Sequence, residues 1–262
     1  MKISGRSFVV SGGASGLGRA CVRDIVAAGG NAVILDMNEE LGKALVSELG
    51  PSTHFIQCDV TDTDNIKAAV DASIAWINKT GKPLGGIIPA AGVGHPGLII
   101  DKNLNPVSLE SVDFVLSINL RGTIDLVRQL LPHLAKVEPE GPDGERGVVV
   151  MVASAAAFEG QMGQVAYAAS KGAVASMTLP MARDLARFGI RVVTVAPSMF
   201  DSNMTAALSD KVRAGLLKAM EFPKRPGQPE EFSALVRHAI ENIMLNGVVI
   251  RLDGATRMPS KL

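Results

Sequence analysis

Tyr167 is the only tyrosine in the chain, and Lys171 follows it by four residues. Residues four apart share a face of a helix. A free phenol has a pKa of about 10 and is a poor acid–base catalyst at neutral pH. A neighbouring ammonium favours the phenolate and lowers that pKa, so the phenol can trade a proton with a nearby oxygen. Ser154 stands thirteen residues before Tyr167, just after the apolar run Val148–Val152. Its hydroxyl can hydrogen-bond the same oxygen. A tyrosine–lysine pair alone is usually an exposed helical pair; the full spacing of serine, tyrosine and lysine is much rarer.

A second cluster runs from Ser11 to Gly18 (SGGASGLG), between the apolar FVVS and a helical stretch. Glycines let the backbone turn sharply and bring its N–H groups to a pyrophosphate, and the following helix end adds about half a positive charge. Strand, glycine turn and helix in that order fit a dinucleotide site better than a simple tight turn. Asp36 ends the run NAVILD, eighteen residues after Gly18. A carboxylate there accepts hydrogen bonds from ribose hydroxyls and repels a 2′-phosphate. No basic residue occurs in Asp36-Met37-Asn38-Glu39-Glu40, which favours NAD over NADP. Asp59, beside Val60, either borders the adenine or closes a turn. Beside a nicotinamide dinucleotide, the phenol's proton exchange at the substrate oxygen would accompany hydride transfer at the carbonyl or alcohol carbon.

These groups need a scaffold. Short apolar runs alternate with longer helical ones: strands over Phe8–Ser11, Asn31–Asp36, His54–Asp59, Gly86–Ile88, Val148–Val152, Arg191–Ala196 and Val248–Leu252. Helices are expected over Leu17–Ala28, Glu39–Leu49, Thr63–Thr80, Leu109–Leu134 with a kink near Gly122, within Gly163–Phe188, and over Glu230–Leu245. Continuous apolar strands alternating with helices predict an α/β chain, a doubly wound seven-stranded parallel sheet (Rossmann fold) in one domain over 1–262. Such sheets bind ligands at the carboxyl ends of their strands, where the winding reverses. An irregular apolar insertion at about 197–229, with Phe200, Met204, Leu208, Leu216, Leu217, Met220 and Phe222, suits either a substrate lid or an ordinary packed helix.

With 47% hydrophobic and 20% charged residues the chain is globular rather than disordered. Twenty-six basic and twenty-six acidic residues leave no net charge and argue against a nucleic-acid partner. No apolar run is long enough for a membrane span. Cys21 and Cys58 lie in apolar stretches and read as reduced packing residues, not a disulfide or metal set. The first strand begins too early to leave room for a signal peptide. Ser260-Lys261-Leu262 reads as a tripeptide recognised by the peroxisomal import receptor.

On the glycine turn and the Ser154, Tyr167 and Lys171 set, the chain resembles the short-chain dehydrogenase/reductase family over its whole length, with Ser11 where threonine is commoner. The resemblance implies Tyr167 as acid/base, Ser154 as the group orienting the substrate oxygen, and Lys171 as a partner of both Tyr167 and the nicotinamide ribose. Asn119, which read alone is only a polar residue inside a helix, matches the family's proton-relay asparagine. Ser154–Lys171 (SAAAFEGQMGQVAYAASK), Met177–Pro180, Ala182–Ala186 and Gly247–Met258 resemble the branch that oxidises 3-hydroxyacyl-CoA with NAD and assembles as a homotetramer. That implies NAD contacts from Gly12, Ser15, Gly16, Leu17, Gly18, Asp36, Asp59, Val60, Ala90, Gly92, Tyr167, Lys171, Pro197, Phe200 and Ser202. It also implies an acyl-CoA substrate in fatty-acid β-oxidation, which agrees with a peroxisomal address. Other secondary alcohols such as hydroxysteroids, or a non-catalytic NAD-binding scaffold, are the alternatives. Lys102 and Arg121 are candidates for a CoA phosphate, and His95 for either the substrate or the surface. Two positions depart from the family pattern: Pro89-Ala90-Ala91-Gly92 replaces Asn-Asn-Ala-Gly, and Pro197-Ser198 replaces Pro-Gly.

Overall fold

Strands buried on both faces need helices on both faces, and the chain supplies them by alternation. The computed structural model describes residues 1–202, 205 and 210–258, leaving Met204, Leu208 and the Ser260–Leu262 tail outside the described residues. The strands are β1 (Ser7–Ser11), β2 (Asn31–Asp36), β3 (Thr53–Gln57), β4 (Leu84–Pro89), β5 (Gly147–Val152), β6 (Ile190–Pro197) and β7 (Val248–Leu252). The helices are α1 (Gly16–Ala27), α2 (Glu39–Leu49), α3 (Thr63–Thr80), α4 (Leu109–Leu116), α5 (Thr123–Leu134), α6 (Val165–Leu185), α7 (Asp210–Lys218) and α8 (Pro229–Glu241).

The sheet is parallel in the order β3-β2-β1-β4-β5-β6-β7. Alternate residues of β1 divide the core. Val9 packs on one face with Leu126 and Leu130 of α5 and Val174 of α6. Phe8 and Val10 pack on the other with Val22 and Ile25 of α1 and Phe232 and Val236 of α8. The winding reverses between β1 and β4, which opens a crevice at their carboxyl ends.

Three elements differ from the sequence reading. β3 stops at Gln57 because the Asp59 N–H turns to the Asn65 side chain at 2.7 Å; Asp59 lies past the strand. The helix expected over Leu109–Leu134 is α4 and α5 joined by a π turn, Ser117–Gly122, so Asn119 sits in an interruption rather than a regular helix. The last helix ends at Glu241, because Asn242 adopts extended backbone and buried Arg191 takes over the helix's free carbonyls. Its Nη1 donates to the carbonyls of Ala239, Asn242 and Leu245 at 2.8, 3.1 and 2.9 Å. Its Nε pairs with buried Glu145 at 2.7 Å.

Cys21 and Cys58 are both free and buried. Among the described residues no helix is long and apolar enough to cross a membrane. No cluster of His, Cys, Asp and Glu suited to a metal occurs among them either.

Candidate active site

The β1–α1 turn forms the floor of the site. Gly12 has φ +63°, and a Cβ there would lie 2.8 Å from the Ala91 backbone. A Cβ at Gly18 would collide with the Gly12 carbonyl, so α1 packs directly on the turn. The hydroxyl of Ser11 accepts the Ala91 N–H at 3.2 Å, and the Ser11 carbonyl accepts the Ala90 N–H at 3.1 Å. The segment after β4 is thus tied to the glycine turn without the family's asparagine at Pro89, a buried residue that ends β4.

A cleft of about 640 Å³ runs from this turn to the end of β5. The residues expected to touch a dinucleotide, from Gly12 through Ser202, all line it. Asp36 stands at one end, where its carboxylate accepts the Ala14 and Asn38 N–H groups, each at 3.0 Å. Asp59 lines the same end and also closes a turn, accepting the Thr61 N–H and hydroxyl at 2.8 Å. Of the alternatives offered for Asp59, bordering the adenine or closing a turn, the structure shows the turn, set on the wall of the cleft.

Tyr167, Ser154 and Lys171 meet at the other end. The first two turns of α6 carry Tyr167 and Lys171, and Ser154 opens the short helical turn after β5. The Tyr167 hydroxyl is hydrogen-bonded to Ser154, yet burial raises its pKa above the ordinary phenol value. Lys171 lies 6.0 Å from the Tyr167 ring centre and donates to the Val152 carbonyl at 2.9 Å. Burial pushes its ammonium down to about 8. In the chain alone burial, not the amine, sets the phenol: both groups are desolvated together, which raises the one and lowers the other.

Asn119 does not line the cleft. Its Oδ1 accepts the Val93 N–H at 2.8 Å, and its Nδ2 donates to the Val93 carbonyl at 2.9 Å and to Ser170 Oγ at 3.1 Å. Ser170 Oγ in turn donates to the Tyr167 carbonyl at 2.7 Å. Asn119 thus clamps the segment after β4 to the helix of Tyr167.

Sequence reading passed over Met37, Cys58, Val93, Phe114 and Thr205, which also line the cleft. Apolar residues at loop ends carry no chemical signal, although Cys58, Val93 and Thr205 each stand close in sequence to a residue already singled out. Burial and the Asp59 charge push the Cys58 thiol up to about 12, which leaves it neutral. Arg121 is committed to the Thr61 carbonyl at 2.9 Å and the Thr63 hydroxyl at 2.8 Å. His95 and Lys102 are exposed, His95 edge-on to Phe114 at 5.6 Å. Ser198 lines the cleft, its hydroxyl buried and unpartnered.

The donor set fits a nicotinamide dinucleotide: a cradle that a Cβ would fill, N–H groups at a helix start, and a carboxylate beyond it. Comparison with known proteins agrees. The family model described as short chain dehydrogenase matches residues 6–213. A bovine protein named 3-hydroxyacyl-CoA dehydrogenase type-2 is 41% identical over 257 residues, 98% of this chain and 97% of the relative. The crystal structure of 3-hydroxyacyl-CoA dehydrogenase type-2 from Mycobacterium avium superposes with a TM-score of 0.89 at 37% identity, covering 100% of both chains. A 3-ketoacyl-(acyl-carrier-protein) reductase from Brucella melitensis, complexed with NADH, shares the fold at a TM-score of 0.83 and 24% identity, over 97% of this chain and 98% of that one. The family binds a nicotinamide cofactor. The chain belongs to the short-chain dehydrogenase/reductase family and is an oxidoreductase.

Proposed function

We propose that the chain oxidises a secondary alcohol with NAD, and that the alcohol is the 3-hydroxyl of a 3-hydroxyacyl-CoA. The observation that carries the chemistry is the Tyr167 hydroxyl, bonded to Ser154 in the same cleft that Asp36 closes at its far end. Identity of 41% to relatives named for that substrate supports the acyl-CoA reading.

Tyr167 accepts the alcohol proton, and Ser154 holds the same oxygen in line. Lys171 supplies the positive charge that favours the phenolate, the form of Tyr167 that takes the proton. Asn119 acts one step back, fixing α6 against Val93. The Ser11–Gly18 turn would hold the pyrophosphate of NAD and Asp36 its adenosine ribose, while Gly92, Pro197, Phe200 and Ser202 would line the nicotinamide end. When bound, NAD supplies the acceptor for the hydride that leaves the carbinol carbon. The 197–229 segment closes over the substrate as a lid.

The decisive test is NADH formation, followed by absorbance, with (S)- and (R)-3-hydroxyacyl-CoA of several chain lengths beside a hydroxysteroid panel. Preference for a steroid would move the assignment to another secondary alcohol. NAD binding without any turnover would leave only a scaffold. Asp36→Ala is expected to erode the preference for NAD over NADP, and unchanged discrimination would overturn the reading of β2's end. We extend the proposal to a homotetramer, checked by light scattering, and to a peroxisomal address in Ser260-Lys261-Leu262, checked by locating a tagged chain with and without those residues.

A further inference from the structure

Glu159 lies five residues after Ser154 and eight before Tyr167, on the segment that joins them. It is outside the cleft lining, yet three groups converge on it. Arg251 Nη1 lies 2.8 Å from Oε1, Arg257 Nε lies 3.2 Å from the same oxygen, and the Met258 N–H donates to Oε2 at 3.2 Å. The hydrogen bond from Arg251 holds the carboxyl below its usual range, so it stays ionised across the working pH.

The same short tail reaches the lid. The Met258 side chain packs on Met199, Leu216 and Met220, the lid's own small apolar cluster. Next to this contact is a cavity of about 210 Å³, lined by Met199, Met220, Asp253 and Thr256. Tail and lid are therefore not close-packed there, and the Thr256 hydroxyl is buried without a partner. Loose packing contributes little cohesion. Besides a long hydrogen bond from the Phe222 N–H to the Gly254 carbonyl at 3.4 Å, the Met258 side chain on one side and its N–H on the other carry the connection.

We infer that Glu159 is a positioning residue for the reaction, latching the lid, through Met258, to the segment that sets Ser154 and Tyr167. The inference rests on the lid reading above. Replacing the Glu159 carboxylate by an amide removes its ion pairs with Arg251 and Arg257 and leaves the Met258 N–H only a weaker, neutral acceptor, which loosens one end of the latch. Arg251 and Arg257 keep a second partner, Asp253, at 2.6 and 3.2 Å, so β7 itself stays in place.

The test compares the full-length chain with Glu159→Gln, Met258→Ala and the double variant. One readout is the initial rate of trypsin cleavage after Lys218 and Lys224, both exposed on the lid. The other is kcat and KM for the best alcohol found, with NADH affinity measured separately. Each single variant is expected to raise lid cleavage and KM by about threefold to tenfold, as coupled neighbours do. kcat and NADH affinity should stay within a factor of about two. The double variant should be no worse than the worse single one. Effects that multiply, or wild-type cleavage in either single variant, overturn the latch. A merely structural role would instead speed cleavage throughout the chain. Should Glu159→Gln not fold, Met258→Ala and the wild type in about 1 M salt, which screens the partly exposed charges, decide the question. Unchanged lid cleavage in both would overturn the latch. If no alcohol turns over, the dehydrogenase reading fails while the cleavage readout still decides the latch.

Discussion

At the scale of single residues, Tyr167 and Lys171 make opposite demands. The chemistry wants them charged; burial in α6 wants them neutral. Tyr167→Phe should lower kcat by about 10²- to 10⁴-fold, the usual share of a general acid–base group, while NADH affinity by fluorescence barely changes. An unimpaired variant refutes the assignment. Because the phenol's pKa is raised, oxidation should accelerate as pH climbs above neutrality, read as kcat/KM against pH. Lys171 gives a stability signature with a definite sign. Its folded pKa is about 8 against an ordinary 10.5, so the unfolded chain binds more protons between those values. The cost of burying the ammonium is therefore fully present below pH 8 and is relieved as pH approaches 10.5. Wild-type Tm minus that of Lys171→Met should rise across this window, by calorimetry, and a flat difference would contradict it. The set of Ser154, Tyr167 and Lys171 was legible from its spacing, whereas Asn119 was singled out only by the family resemblance. The balance between burial and charge was not legible, because it depends on what surrounds each group in three dimensions.

The elements show where pattern reading succeeds. β2, α2, α3 and β7 begin and end where apolar alternation and capping residues say they should. The misreadings arose where a distant partner intervened. Arg191 shortens α8 from across the sheet, and Asn65 diverts the chain after β3. The π turn at Ser117–Gly122 leaves no trace in periodicity, since its residues suit a helix equally well; the kink expected near Gly122 falls at its end, signalled by the glycine alone. The β1–α1 turn is the most exacting element. Gly12→Ala puts a methyl 2.8 Å from the Ala91 backbone at a positive φ. A stability loss of about 1–3 kcal/mol is expected in urea melts. NADH affinity should fall by about tenfold or more in titrations, because the cradle itself is displaced.

For the whole molecule, the order of strands rather than any one strand makes the site, since only the reversal between β1 and β4 brings the glycine turn and the Ala90–Gly92 segment to one crevice. The far edge depends on Arg191. Arg191→Met leaves the buried Glu145 carboxylate with the Met1 ammonium, at 2.7 Å, as its remaining charged partner, and α8 without a cap. Loss of one of two buried partners and of the capping hydrogen bonds costs about 1–3 kcal/mol, measurable by urea unfolding, with kcat of the folded fraction unaffected. The parallel sheet has a further consequence, in time rather than in space. Every strand must wait for an intervening crossover before it finds its neighbour, so assembly is dominated by non-local closures and is slow. Until β6 docks, the sequence Gly147–Val152, buried at every position in the finished sheet, stands open to solvent. Recovery from denaturant should therefore decline as chain concentration rises, with self-association competing against the last crossovers.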